Sequence, residues 1–343
     1  MATLNSGYGK SSGLFEVRFV PASRLMGDHV NGPQPVAVIQ YGEGEPSSLS
    51  VQCPSISIPA PQLNTENLVE IWTSSTPVTM DEQDGIAYAA NEQALFGLSR
   101  LEETQDQLLD TLTYNSYRNI LRFVKEKGYS DLLRVWNYLS DINDEQDDLE
   151  RYRRFCVGRF NAFHEFDTGF EQALPAATAA GLHNPGLFIY FLAARGTSQP
   201  IENPRQLNPY HYPPQHSPRS PSFSRAIVKD WGAHRQLFIS GTGSIVAHQS
   251  LHGGDVVAQL TEILRNIDAL LEHAANVSGT DFRHKCTTST FKVYLRHAAD
   301  LRLIQEHLAH ALGEGTSVLL LNADLCRKEL LMEIEGTYTR KGD

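Results

Sequence analysis

Apolar and polar positions along this chain follow two rhythms, and the same succession of rhythms occurs twice. A short apolar run at Ala94–Ser99 (ALFGLS) predicts a strand. After it, residues 104–128 keep Leu108, Leu109, Leu112, Ile120, Leu121 and Val124 at helical spacing on one broad face. The run LLRVWNYLSD reads as a strand that enters a turn at Ile142-Asn143-Asp144. DEQDDLERYRRFCVGRFNAF predicts a second helix opened by acidic residues, where negative charge suits the helix dipole, and PAATAAG a further strand. Later the order returns: strand QLFISG at Gln236–Gly241, a helix from Val256 to Ala275 with Asp255 as its N-cap, then strand FKVYLRH. A helix from Leu301 to Leu312 and two closing strands complete it. Arg118-Asn119-Ile120 and Arg265-Asn266-Ile267 mark the same place in the two leading helices. Order and local words agree although identities are few, so the chain reads as two diverged copies of one α+β unit. Ahead of both, LFEVRFVP and QPVAVIQYG alternate like strands between Gly, Asn and Pro turns.

Residues 199–224 break both rhythms. The stretch QPIENPRQLNPYHYPPQHSPRSPS is proline-rich, with tyrosine, histidine and arginine interleaved. One reading is a solvated linker of polyproline character. The other is an ordered, cationic, aromatic strap over a pocket. Tyr210 and Tyr212 are costly to expose, and Arg205, Arg219 and Arg225 have no acidic neighbour between Glu202 and Asp230.

With 343 residues and 41% hydrophobic content, the chain is long enough for a full core and for two domains. Its formal net charge of −11 argues against a general nucleic-acid or membrane-surface binder. An anionic ligand therefore requires a locally basic pocket set against that global field. The four cysteines, Cys53, Cys156, Cys286 and Cys326, lack zinc-type pairing and the density of a disulfide framework, which fits a reducing cytoplasm. MATLNSGYGK has no apolar core of a secretory signal, and the apolar run GLFIYFLAA falls short of the about 20 residues that span a bilayer. The expectation is a soluble cytoplasmic protein, in which the sequon Asn276-Val277-Ser278 is a chance match.

Several residues carry candidate chemistry. Gly241-Thr242-Gly243-Ser244 follows a strand, but position 246 is Val and a long loop follows, so the dinucleotide fingerprint fails. The glycines still imply a tight backbone that lets a ligand approach. His248 and His252 stand four apart in a Gly-rich loop with no third ligand nearby, which favours hydrogen-bonding histidines over a metal site. In LLMEIEG, alternation puts Glu333 and Glu335 on one strand face, with Met332 and Ile334 on the other. That face is either the wet side of an antiparallel sheet or, if buried, a place where desolvation keeps a carboxyl protonated as a general acid. Cys326 is either an ordinary buried cysteine or a member of the same pocket. Tyr152 and Arg159 are seven apart on one helix face, where Arg159 is either a surface residue or a guanidinium fork aimed at a carboxylate.

LFISGTGSIVAHQSLHGGDVVAQLTEILRNIDALL, VYLRHAADL and LLMEIEG resemble the RidA/YjgF (chorismate mutase-like) fold. The resemblance implies two tandem units, each a mixed β-sheet packed on helices. More specifically, VWNYLSDIN, ERYRRFCVGR, LPAATAAG, NPYHYPPQHSPRSPSFSRA and ISGTGSIVAH resemble the chorismatase family over nearly the full length. On that resemblance, 1–198 is a degenerate first unit, 199–224 an active-site strap and 225–343 the catalytic unit. It implies a cofactor-free, metal-free enzyme that removes pyruvate from chorismate. Tyr152, Arg159, Tyr212 and Arg225, with Tyr210 and Arg219, become the substrate-binding set. Glu333 becomes the acid, with Glu335 as its rival. Gly243 and Cys326 resemble the pair of the 3-hydroxybenzoate-forming branch; the alternative is the hydrolytic branch, which yields a dihydroxy-cyclohexadiene carboxylate. A RidA-like deaminase and a non-catalytic carboxylate-binding module stand as competing functions. RidA-like units close trimers, so both a monomer and a RidA-like trimer are open.

Overall fold

Two six-stranded mixed sheets of identical strand order carry the duplication read from the sequence. The structure is a computed structural model that describes residues 13–25, 33–42, 51–104, 106–167, 169–284, 286–312 and 316–342. The expectation drawn from MATLNSGYGK lies outside the described residues. Across the first sheet the order is Ala176–Leu182, Asp131–Ser140, Leu187–Ala194, Ala94–Leu101, Ile86–Ala90 and Thr79–Gln83. Across the second it is Ser317–Asn322, Cys286–Leu295, Met332–Lys341, His234–Thr242, Ala226–Asp230 and Gln199–Ile201. In both, the first two strands are parallel and every other neighbour is antiparallel. The architecture is α+β.

Helices α1 (Leu109–Glu126) and α2 (Arg151–Phe166) cover one face of the first sheet, with Ile120, Phe123, Phe155 and Phe163 packed on Val135, Leu139, Ile189 and Phe191. Helices α3 (Val256–Ser278) and α4 (Leu301–Leu312) cover the second sheet through Leu260, Ile263, Ile267 and Ile304 on Val293, Met332 and Ile334. Asp255 caps α3, its carboxylate accepting the Ala258 N–H at 3.0 Å. Among the described residues no helix is long and apolar enough to cross a membrane.

The second helix starts later than the sequence predicts. The acidic residues ahead of Arg151 form a hairpin, Glu145–Gln146 against Leu149–Glu150. Asp147 and Asp148 both adopt positive φ (46° and 59°), the conformation of a two-residue type I′ turn, so the acidic run turns the chain instead of opening the helix.

A third sheet, ordered Phe15–Pro21, Leu68–Ser74, Gln34–Tyr41, Ser55–Ile58, lies outside the repeat. Its inner face and the helix-free faces of the two six-stranded sheets share one core, which holds Trp72, Phe96, Trp136, Tyr138, Tyr190, Phe238 and Tyr294. Glu333 and Glu335 point toward this interior. Leu192 is the cross-strand partner of Phe96 and Thr337 that of Phe238. Matching those two phenylalanines sets Phe188 and Tyr190 of the first copy against Glu333 and Glu335 of the second.

Candidate active site

A β-bulge opens the site. Along strand His234–Thr242, Ile239 faces Gly336 and Thr242 faces Ile334, so Ser240 and Gly241 together oppose Glu335. The displaced backbone meets the edge of the first sheet, where the Ala177 N–H donates to Ser240 Oγ at 2.8 Å and the Gly241 N–H to Thr178 Oγ1 at 3.1 Å. At this junction lies a cavity of about 420 Å³, within the range of small-molecule sites. Helix α2, the strap, the bulged strand and the loop before Met332 contribute its walls.

Seven of the expected residues line it together: Tyr152, Arg159, Tyr212, Arg225, Gly243, Cys326 and Glu333. Arg159 leaves only 3% of its surface exposed and lies over the Tyr117 ring at 4.9 Å, with Nε and Nη2 buried and unpaired. Arg225 is 4% exposed; its Nη2 donates to Leu207 O and to the Tyr212 hydroxyl at 2.8 Å each, and its Nε is buried and unpaired. Two buried guanidinium groups with unpaired donors on one cavity can receive carboxylates, because such donors leave a large desolvation penalty until an anion meets them. Acidic and basic residues both line the cavity, and Arg159 and Arg225 supply the local positive charge that an anionic ligand needs against the global charge of −11.

The two carboxyls of LLMEIEG share a face and differ in charge. Burial pushes Glu333 up to about 8, and the neighbouring Glu335 carboxylate adds to the rise, so Glu333 is a protonated acid at neutral pH. Burial pushes Glu335 the same way, but Lys292 and Arg134 overcome it and hold that group below its ordinary value. Glu335 accepts from Arg134 at 2.8 Å, Trp136 at 2.7 Å and the Thr178 hydroxyl, and pairs with Lys292 at 3.0 Å. Its lone pairs are spent on the protein, and it is absent from the cavity wall. The face is therefore neither wet nor equivalent at its two positions.

Burial, reinforced by Glu333, pushes the Cys326 thiol up to about 12, so it stays protonated. Its loop is clamped by Arg296, which donates to Leu330 O at 2.8 Å, Arg327 O at 3.0 Å and Asn143 Oδ1 at 3.1 Å and pairs with Asp324. Tyr152 neighbours both Cys326 and Cys156, and its phenol is held well above its usual range, chiefly by burial.

Tyr210 and Arg219 are not brought to the cavity. The Tyr210 hydroxyl accepts from Asn208 at 2.7 Å, and Arg219 stacks on Phe160 at 4.7 Å. The strap has no period from which its inward residues can be told. The segment is nonetheless ordered. Asn203 donates to Asn266 O at 2.8 Å, Arg205 pairs with Glu262 at 2.5 Å, and the Leu207 N–H donates to Ala247 O at 2.8 Å. Its first residues, Gln199–Ile201, are the edge strand of the second sheet. His248 and His252 diverge: the first meets His216 at 3.0 Å, the second Glu262 at 3.6 Å.

Sequence reasoning missed Thr178, Cys156 and Arg327, all on the cavity wall, and read Gly241, also on it, only as backbone that lets a ligand approach. Cys156 had a signal, since it falls between Tyr152 and Arg159 at helical spacing. Thr178 had none, sitting among alanines.

The model of a family described as "Chorismatase FkbO/Hyg5-like, N-terminal" matches residues 70–193. The chain is 36% identical to a chorismatase of Streptomyces rapamycinicus over 324 residues, 92% of this chain and 94% of that one. It belongs to the chorismatase family. A relative from Streptomyces hygroscopicus named 3-hydroxybenzoate synthase is 35% identical over 292 residues, covering 82% of this chain and 85% of its own. A chorismatase crystal structure superposes with a TM-score of 0.83 at 33% identity, covering 95% of this chain and 98% of that one. The chorismatase match thus extends over both copies and the strap between them.

Proposed function

We propose that this chain cleaves chorismate to pyruvate and 3-hydroxybenzoate, with Glu333 as the proton donor. The observation that carries the reading is a protonated carboxyl on the wall of a cavity that also presents two buried arginines with unpaired donors. Chorismate has two carboxylates, and Arg159 and Arg225 each offer one a charge-assisted contact. Tyr212, which accepts from Arg225, orients that guanidinium.

In this mechanism the Glu333 proton passes to the methylene carbon of the enolpyruvyl group. A C–H bond forms, the enol ether loses its double bond, and positive charge develops on the carbon attached to oxygen. The ionised Glu333, Glu335 behind it and the arginine-bound carboxylates set the field around that cation. Breakage of the ring C–O bond releases pyruvate. Migration of the neighbouring ring oxygen through an arene-oxide-like species, followed by proton loss, gives the aromatic acid. Chorismate divides into these two products with no water consumed. Cys326, a neutral thiol on the cavity wall, can donate to the opening oxide, and Gly243 lies on the same wall. The relative named 3-hydroxybenzoate synthase supports this branch over the hydrolytic one.

Glu333→Gln tests the assignment. It keeps the shape and removes the transferable proton, so chorismate affinity should stay within a few-fold while pyruvate release falls by roughly 10²- to 10⁴-fold. Release at the wild-type rate would remove Glu333 from the mechanism.

A further inference from the structure

Behind Arg225, away from the cavity wall, lies a carboxyl that the mechanism leaves unused. Ile201 pairs with Ala226 in the antiparallel edge of the second sheet, which sets Glu202 directly across from Arg225. The Arg225 main chain and the Tyr210 hydroxyl both draw the Glu202 carboxyl toward its ionised form. Its Oε2 is nevertheless buried without a partner, as is Nε of Arg225. The charged and titratable groups that act on Glu202 are Arg225 on the paired strand and Tyr210 on the turn that follows. Glu171 acts on Tyr210 and pairs with His211 at 3.8 Å.

We infer that Glu202 is a proton-linked residue that acts on the site through the charge of Arg225: buried across the strand pair from that arginine, it takes up a proton when a substrate carboxylate docks there. This rests on the reading of Arg225 as a carboxylate receptor. An ionised Glu202 shares Arg225's charge and repels an incoming anion across it. A neutral Glu202 leaves the arginine's whole charge to the ligand. Burial pushes Glu202 up to about 7, with Arg225 and Tyr210 pulling the other way, so a small added field from a bound anion changes its charge in the neutral range. Glu202 touches no substrate in this arrangement and acts only through Arg225.

Calorimetric titration of chorismate into Glu333→Gln, in buffers of different ionisation enthalpy, reads the linkage. That background blocks turnover and removes the titration of Glu333 itself. At pH 8 a group of this acidity is mostly ionised when free, so binding should take up a fraction of a proton per chorismate, with roughly 0.9 as its upper limit. The uptake should vanish in Glu333→Gln/Glu202→Gln. Tyr210→Phe in the same background removes a donor that favours ionised Glu202, so the pH of half-maximal uptake should move upward; a merely structural role for Glu202 would not produce this shift. Chorismate binding without proton uptake, or with uptake indifferent to Glu202, overturns the inference and leaves the Arg225 site standing. Failure of chorismate to bind either Glu333→Gln or the wild type overturns the site reading and the inference together.

Discussion

Glu333 and Glu335 are two residues apart on one strand face and equally inaccessible, yet only one is ionised at neutral pH. The difference lies in their neighbours: Lys292, Arg134, Trp136 and Thr178 all contact Glu335, whereas at Glu333 burial and the negative Glu335 outweigh the more distant pull of Arg134 and Arg225. Because the proton must be present for transfer, pyruvate release should be flat below and fall about tenfold per unit above a pH near 8. A pH–rate profile of single-turnover release checks this, and a rise through that range would contradict it. Gly241 sets the acid's position as well. A Cβ there would overlap Glu333 Oε1, the far end of a side chain that can swing aside. Gly241→Ala should therefore fold with little change in melting temperature while pyruvate release drops by roughly tenfold or more, because a misplaced donor forfeits orientation. The alternation in LLMEIEG made the shared face legible. What covers that face was not legible, since the four groups that charge Glu335 come from remote strands.

Helix α2 is the element that aims the arginine. Tyr152, Cys156 and Arg159 fall on its cavity face, while Gly158 presses α1 so closely that a Cβ would overlap the Asp110 carbonyl oxygen. That obstacle is backbone and cannot rotate away. Gly158→Ala should cost about 1–3 kcal/mol in denaturant unfolding and weaken chorismate binding by tilting Arg159, and an unchanged midpoint would show that the helices have room. Helix α4 runs from Leu301 to Leu312 both by periodicity and in the structure. The start of α2 was obscured because acidic residues suit a helix N-terminus and a positive-φ turn equally, and Asp147-Asp148 takes the turn. The strap's local signal of order was confined to its tyrosines, costly to expose, and its arginines without acidic neighbours. Its rigidity comes from Asn203 and Arg205 reaching Asn266 and Glu262 on α3, contacts no window of sequence contains.

At the scale of the molecule, the duplication supplies two sheets that face each other and a junction between them. Only one copy carries these carboxyls. Phe188 and Tyr190 stand in the first copy where Glu333 and Glu335 stand in the second, so the first unit lends α2 and the Thr178 strand to the cavity wall without a second pair of carboxyls. The repeat itself was visible from the order of rhythms. The third sheet, Phe15–Pro21 with Leu68–Ser74, Gln34–Tyr41 and Ser55–Ile58, was visible only as alternating strands, and its role in closing the common core was not. That sheet brings Glu70 to Lys292 at 3.0 Å, and Lys292 in turn holds Glu335 ionised. The charge state of the site thus depends on all three sheets. The most direct measurement is to incubate the purified chain with chorismate and resolve the products by chromatography with ultraviolet detection while pyruvate is quantified in parallel. Pyruvate and 3-hydroxybenzoate in equal amounts are the predicted result. Pyruvate with a non-aromatic dihydrodiol would contradict the roles given to Gly243 and Cys326, and no pyruvate at all would contradict the account as a whole.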